Sequence, residues 1–291
     1  MATRRAVVAG QFYPGSRAEC VEEIGEFLKE VRLPKKLPER IVAGLVPHAG
    51  WVFSGKTAAM VFAAIRERDR DVDTFVIFGA AHNFFGERAA VYDKGAWQTP
   101  LGQIEIDEEL AAAILGTGMA EGNPGSHSYE HSIEVQVPFV QHLFPKAKIV
   151  PVLTPPVEGA VALGEAVGDI IKTEAKKRIV CIGSTDLTHY GPRYGFEPQG
   201  VGPEAIRWAK NVNDREFIDF AVSLEPEMMM KSAERRSNAC GPGAAAATVA
   251  AAKRLGKTEG VLLEHINSNE VMVAKMGQSS QESVGYAAIV F

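Results

Sequence analysis

Ile41-Val42-Ala43-Gly44-Leu45-Val46-Pro47-His48 is an apolar run that ends on a histidine, and two further stretches repeat the arrangement. Thr74-Phe75-Val76-Ile77-Phe78 passes through Gly79-Ala80-Ala81 to His82, while Ile179-Val180-Cys181-Ile182 leads on to Asp186 and His189. Short runs rich in β-branched residues, apolar on both faces and closed by turn residues, are the pattern of strands buried in a parallel sheet. Three of the chain's seven histidines thus fall just past the carboxyl ends of expected strands. In open α/β sheets that edge is where ligands bind, because strand ends and helix N-termini converge there on a crevice.

Working outward, Lys148 to Leu153, Gly260 to Ile266 and Val284 to Phe291 read as further strands. Helical patterns lie between several of them, over Ser54 to Arg66, Asp107 to Leu115, Ser132 to Phe144, Glu158 to Glu174 and Gly243 to Leu255. This alternation predicts an α/β fold with a largely parallel or mixed central sheet flanked by helices. An antiparallel pair is expected between Ala89 to Tyr92 and Gln103 to Ile106, with Trp97 to Gly102 as its turn. Ser16-Arg17-Ala18-Glu19 fits a capping box that opens an amphipathic helix through Leu28. No linker, low-complexity run or fixed-period repeat divides the chain, so residues 1–291 are read as one domain.

Composition narrows the class. Of 291 residues, 46% are hydrophobic and 23% charged, enough to build a large buried core. The net charge of -5 and the scattered lysines and arginines disfavour nucleic acid and anionic membranes as partners. No stretch approaches the roughly 20 apolar residues of a membrane helix, and the apolar run after Arg4-Arg5 is too short for a signal peptide. Three cysteines without paired spacing point to a reducing compartment, and a cytoplasmic location is expected.

Cys240 joins the histidines as a candidate ligand. It lies in Asn238-Ala239-Cys240-Gly241-Pro242-Gly243, directly before an alanine-rich helix whose dipole is expected to favour the thiolate. Taken singly, a histidine is a hydrogen-bonded structural group and a cysteine a small buried apolar one more often than either is a ligand. Their coincidence on one predicted edge favours a shared metal site. The polar stretch Ser126 to Gln136 adds His131 and Glu134, one helical turn apart, as pocket residues, although Ser126 to Ser132 also serve as simple helix-capping chemistry. Gly50-Trp51-Val52-Phe53-Ser54-Gly55-Lys56-Thr57 matches the phosphate-binding loop pattern, but Trp51, Val52 and Phe53 would crowd the backbone amides that must wrap a phosphate.

Several ordered motifs together carry a family resemblance. Pro47 to Gly55, Gly79-Ala80-Ala81-His82, His131 to Gln136, Ser184-Thr185-Asp186-Leu187-Thr188-His189-Tyr190-Gly191 and Asn238-Ala239-Cys240-Gly241 resemble those of the Memo family. Ala9 to Pro14 and Gly285-Tyr286-Ala287 extend the resemblance to nearly the whole chain. It implies a fold similar to class III extradiol ring-cleaving dioxygenases, whose non-haem Fe(II) is held by two histidines and a carboxylate. Carried over, His48 and His82 match the two histidine ligands, Cys240 the family's third ligand, and His189 with Asp186 the acid/base position. Tyr190 falls in the same pocket motif. Fe(II) is the metal implied first, and a thiolate ligand makes copper or zinc competitive with it. The expected activity is metal-dependent redox or dioxygenase chemistry on an unidentified small molecule. A metal-binding adaptor for a peptide or protein and a zinc hydrolase are the alternatives. The resemblance also implies association with radical-SAM and AMMECR-type proteins.

Overall fold

The computed structural model describes residues 3–174 and 176–291. Among them the strands are β1 (Thr3–Arg4), β2 (Ala43–Val46), β3 (Thr74–Gly79), β4 (Ala89–Val91), β5 (Ala96–Thr99), β6 (Gly102–Glu105), β7 (Ala120–Gly122), β8 (Lys148–Leu153), β9 (Ile179–Ser184), β10 (His189–Tyr190), β11 (Val261–Asn267) and β12 (Ser283–Val290). The α-helices are α1 (Arg17–Glu30), α2 (Trp51–Arg68), α3 (Glu108–Gly116), α4 (Val137–Leu143), α5 (Gly159–Thr173), α6 (Pro203–Trp208), α7 (Arg215–Val222), α8 (Pro226–Arg236), α9 (Pro242–Arg254) and α10 (Ser268–Met276).

The expected α/β class is what the chain forms. A mixed sheet runs in the order β10-β12-β2-β9-β3-β8-β4-β7, with β11 paired to β12. Its centre, β2-β9-β3-β8, is parallel throughout, and β12 and β4 flank that centre as antiparallel neighbours. Every residue of β2, β3 and β9 is buried, as their unbroken apolar sequences require.

Alternation along the strands shows how both faces are covered. A side chain added at Gly44 in β2 would meet Val61 of α2, and one at Gly183 in β9 would meet Thr248 of α9. Gly44 pairs with Ile182, and Leu45 with Gly183. The two glycines therefore face opposite sides of the sheet, and the missing side chains let one helix settle close on each. α1 and α4 pack with α2, while α5 and α8 pack with α9. Residues 242–252 of α9 are all buried, which explains a helix built largely of alanine.

Three sequence expectations are corrected. Ala89–Val91 does not pair with the 103–106 segment: it joins β7 and β8, and β6 folds back on β5 around Pro100-Leu101. Trp97 is thus a strand residue, buried beneath the Arg4 guanidinium, rather than part of a turn. The segment after Ser132 is not one helix but a short 3-10 turn over Glu134–Gln136 followed by α4, whose second residue is Pro138. Proline is at home in a first helical turn and breaks a helix interior, so α4 begins where Pro138 allows. The helices between Pro203 and Arg236, interrupted by a π-turn over Ala209–Asp214, were not anticipated, although Pro203 and Pro226 each mark a first turn.

The phosphate-loop match is absorbed by α2. Gly50 is its N-cap and Trp51 to Thr57 are already helical, with the Trp51 amide donated to Phe12 O. No helix among the described residues is long and apolar enough to cross a membrane.

Candidate metal centre

Because β2, β9 and β3 are adjacent and parallel, the residues that follow them emerge side by side, strand spacing being about 5 Å. β2 delivers His48, β9 delivers Asp186 and β3 leads to His82. Cys240 arrives from the loop before α9. That loop is laced to the end of β9: the Cys240 amide donates to Asp186 O at 3.2 Å, the Asp186 amide reaches Cys240 Sγ at 3.3 Å, and Gly241 N donates to Thr185 Oγ1 at 3.0 Å. Only glycine fits at 241, since a Cβ there would lie 2.7 Å from Ser184 O.

Hydrogen bonds orient both imidazoles. Ser184 Oγ gives its proton to Ser132 O at 2.7 Å, so it accepts from His48 Nδ1 at 3.0 Å. The proton of neutral His48 therefore sits on Nδ1, and the Nε2 lone pair points to Cys240 Sγ, 3.1 Å away. His82 Nδ1 donates to Glu130 Oε1 at 3.0 Å, which likewise leaves Nε2 open. Glu130 also accepts from the backbone amides of His82, His131 and Ser132. Buried as it is, this carboxyl is held down at about 2, because the His82 and Ser132 hydrogen bonds outweigh desolvation.

The donors form two overlapping groups. Ligand atoms of His48, His82 and His131 lie within 4.8 Å of one another, and so do those of His48, Asp186 and Cys240. His48 belongs to both. The expected trio of His48, His82 and Cys240 thus draws on both groups, joined through His48. His131 stacks on His82 with ring centroids 4.9 Å apart and stands edge-on to His48 at 5.4 Å.

The electrostatics differ from donor to donor. Burial and the neighbouring histidines hold His48 well below the usual imidazole range, so it is neutral, and its Nε2 lone pair accepts the Cys240 thiol hydrogen. Burial would also depress His82, but the hydrogen bond and charge of Glu130 prevail and raise it. Burial, followed by the charge of Asp186, raises the Cys240 thiol. At this half-buried, acid-flanked position the thiol is pushed in the direction opposite to the one expected from the dipole of α9, so a cation that binds there displaces the sulfur's proton.

The remaining candidates are placed as follows. Asp186 is buried, its Oδ1 accepting the amides of His48 at 2.7 Å and Ala49 at 3.3 Å, and burial raises its carboxyl. His189 donates from Nδ1 to Leu187 O at 3.0 Å, leaving Nε2 as the proton acceptor, and its ring meets Tyr194 edge-on. Glu134 and Tyr190, expected in the pocket, spend their polar ends elsewhere. Both Glu134 oxygens serve Arg4, the amides of Val7 and Val8 and the Tyr13 hydroxyl. Tyr190 donates to Gly200 O and accepts from Gln199 N. Glu130 was not singled out from the sequence. Its position beside His131, in a stretch with few apolar residues, was the available signal.

Comparison with known proteins places the chain in a family. The family described as Memo-like protein matches residues 4–290. The chain belongs to the Memo family. A MEMO1 family protein of Thermococcus onnurineus is 38% identical over 297 residues, with 99% of each chain covered. One from Pyrococcus furiosus is 39% identical over 295 residues, covering 99% of this chain and 98% of its own, and one from Methanosarcina mazei is 38% identical over 295 residues. Within this Memo family chain, the His/Asp/Cys group at the sheet edge is a possible metal-binding site.

Proposed function

We propose that this Memo family chain is a metal-dependent redox enzyme of the reducing cytoplasm, with His48, His82 and Cys240 holding one non-haem iron and Asp186 beside them. The observation that carries this reading is the convergence of the His48 Nε2 lone pair and the Cys240 sulfur, 3.1 Å apart on a parallel-sheet edge. The donor set fits the group: imidazole nitrogen, a thiol and a carboxylate, with the outer nitrogens of both imidazoles already anchored on Ser184 and Glu130. Copper and zinc suit the same donors and compete with iron.

When bound, the metal would supply a Lewis acid and an electron relay for a small oxygen-bearing substrate. His189 Nε2 would take and return a proton, its tautomer fixed by the Leu187 carbonyl. Asp186 would hold the His48 and Ala49 amides in place and set a negative charge near the imidazole of His189. Glu130 would keep the His82 ring turned so that Nε2 faces the cluster.

One observation favours a second reading. His48, His82 and His131 form an all-nitrogen set of the kind that holds catalytic zinc, which suits a zinc hydrolase.

The test is metal analysis of anaerobically purified protein, followed by oxygen-uptake assays with small phenols on the wild type and on His189→Ala. The reading expects a bound redox metal, oxygen uptake by the wild type, and a His189→Ala protein that keeps its metal and loses turnover. Zinc with hydrolytic activity would support the second reading. A full metal complement without uptake would support a binding protein, and failure to bind any transition metal would sink the proposal.

A further inference from the structure

Away from the metal centre, the N-terminal loop, α1, the start of α2 and α10 enclose an open groove of about 1130 Å³. None of the metal-ligand candidates lines it. That volume exceeds the ~300–1,000 Å³ of ordinary small-molecule pockets. Phe12, Trp51, Phe53 and Val271 give it an apolar floor, and Val52 stays 44% exposed at its edge.

Its rim is acidic. α1 contributes Glu22, Glu23, Glu26 and Glu30 along one side of the groove, and among the described residues none of the four forms an ion pair. Spacings of three and four residues put such side chains on one helix face. With Glu19 they extend over twelve residues of helix, or about 16 Å. Of the two lysines lining the groove, Lys56 pairs with Glu264 at 2.9 Å, while Lys275 donates to Val52 O at 2.7 Å and partly offsets Glu23. Glu19 accepts from the Ser16 hydroxyl, and Glu270 is paired with Lys210.

From this combination of an apolar floor and an acidic wall whose four glutamates form no ion pair, we infer that the groove docks a basic amphipathic segment of a partner protein, about three helical turns long. Apolar side chains of that segment fill the floor, and its lysines or arginines face Glu22, Glu23, Glu26 and Glu30. A second copy of this chain is the poorer occupant, because an acidic wall repels its own copy unless that copy offers a basic face, and the net charge is -5. The groove also touches the metal centre through one residue. Phe12 lines the groove and packs its ring 4.8 Å from His131, so an occupant that moves Phe12 reaches the cluster without touching a ligand.

The test is fluorescence anisotropy of the full chain with a labelled synthetic peptide of roughly 18 residues, leucine on one helical face and lysine on the other. An otherwise identical peptide with glutamate in place of lysine is the control. The inference expects the lysine peptide to bind at least about tenfold tighter than the glutamate peptide, and its affinity to fall about tenfold in Glu22→Lys/Glu26→Lys. Both glutamates are exposed on α1, so circular dichroism and metal content should match the wild type. Equal binding of both peptides, or an affinity untouched by the double charge reversal, overturns the inference. So does a concentration-dependent dimer that the reversal abolishes, which would assign the groove to a second copy.

Discussion

The sulfur of Cys240 lies 3.1 Å from Nε2 of His48, across a sequence separation of 192 residues. One comes from the loop before α9 and the other from the end of β2, and neither the thiol nor the imidazole is charged when the site holds only protons. Cys240→Ser should therefore weaken binding of zinc or Fe(II) by more than about tenfold, with a smaller release of protons on binding. Competition against a chromophoric chelator measures both, and unchanged affinity would remove Cys240 from the ligand set.

Glu130 is a positioning residue by its contacts with His82. Glu130→Ala should lower metal affinity by roughly 10–100-fold, the usual cost of losing an outer-sphere carboxylate. Glu130→Gln keeps one acceptor for His82 Nδ1 and should recover part of that loss. If both variants bind metal as the wild type does, the orientation argument fails.

Arg4 anchors the segment that carries Glu130 and His131. It pairs with buried Glu134 at 2.7 Å, donates to the His127 and Glu130 carbonyls and lies over Trp97. Arg4→Leu leaves the Glu134 carboxylate without its cation and should destabilise the protein by about 3–5 kcal/mol. Urea unfolding checks this, and a change within error would show that Glu134 finds compensation elsewhere.

His127 makes stability depend on pH. Burial, the largest cause, lowers its pKa from 6.5 to about 3, and its Nε2 donates to Ala90 O. The unfolded chain then binds the extra proton first, so this contribution is complete above about pH 6.5 and is lost as pH falls toward 3. The slope from one such group is at most about 1.4 kcal/mol per pH unit. His127→Phe should flatten the decline in unfolding free energy between pH 6.5 and pH 4.5 relative to wild type. An identical slope in the two proteins would refute the assignment.

Much of the fold was legible because its central strands are short, apolar on both faces and closed by turn residues. The length, flanking turn residues and β-branched content of Ile41 to Val46, Thr74 to Phe78 and Ile179 to Ile182 select buried strands over helices, and β2, β3 and β9 form there, β2 beginning at Ala43. Pairing was harder to read. Ala89–Val91 has no sequence mark that selects β7 and β8 over β6, since register depends on which partners the rest of the sheet leaves open. The same holds for Glu134: its spacing from His131 suggested a shared helical face, but the backbone between them is not α-helical and Arg4 captures the carboxylate.

By itself, the sequence determined the α/β class and placed His48, His82, Asp186 and His189 just beyond strand ends, because hydrophobic periodicity and chain direction are local properties. Only the tertiary structure decided that His48 is the residue common to both donor groups, that Glu130 steers His82, and that the Cys240 thiol keeps its proton despite the helix that follows. Those outcomes depend on through-space distance and on desolvation, and both are set by which distant segments pack together.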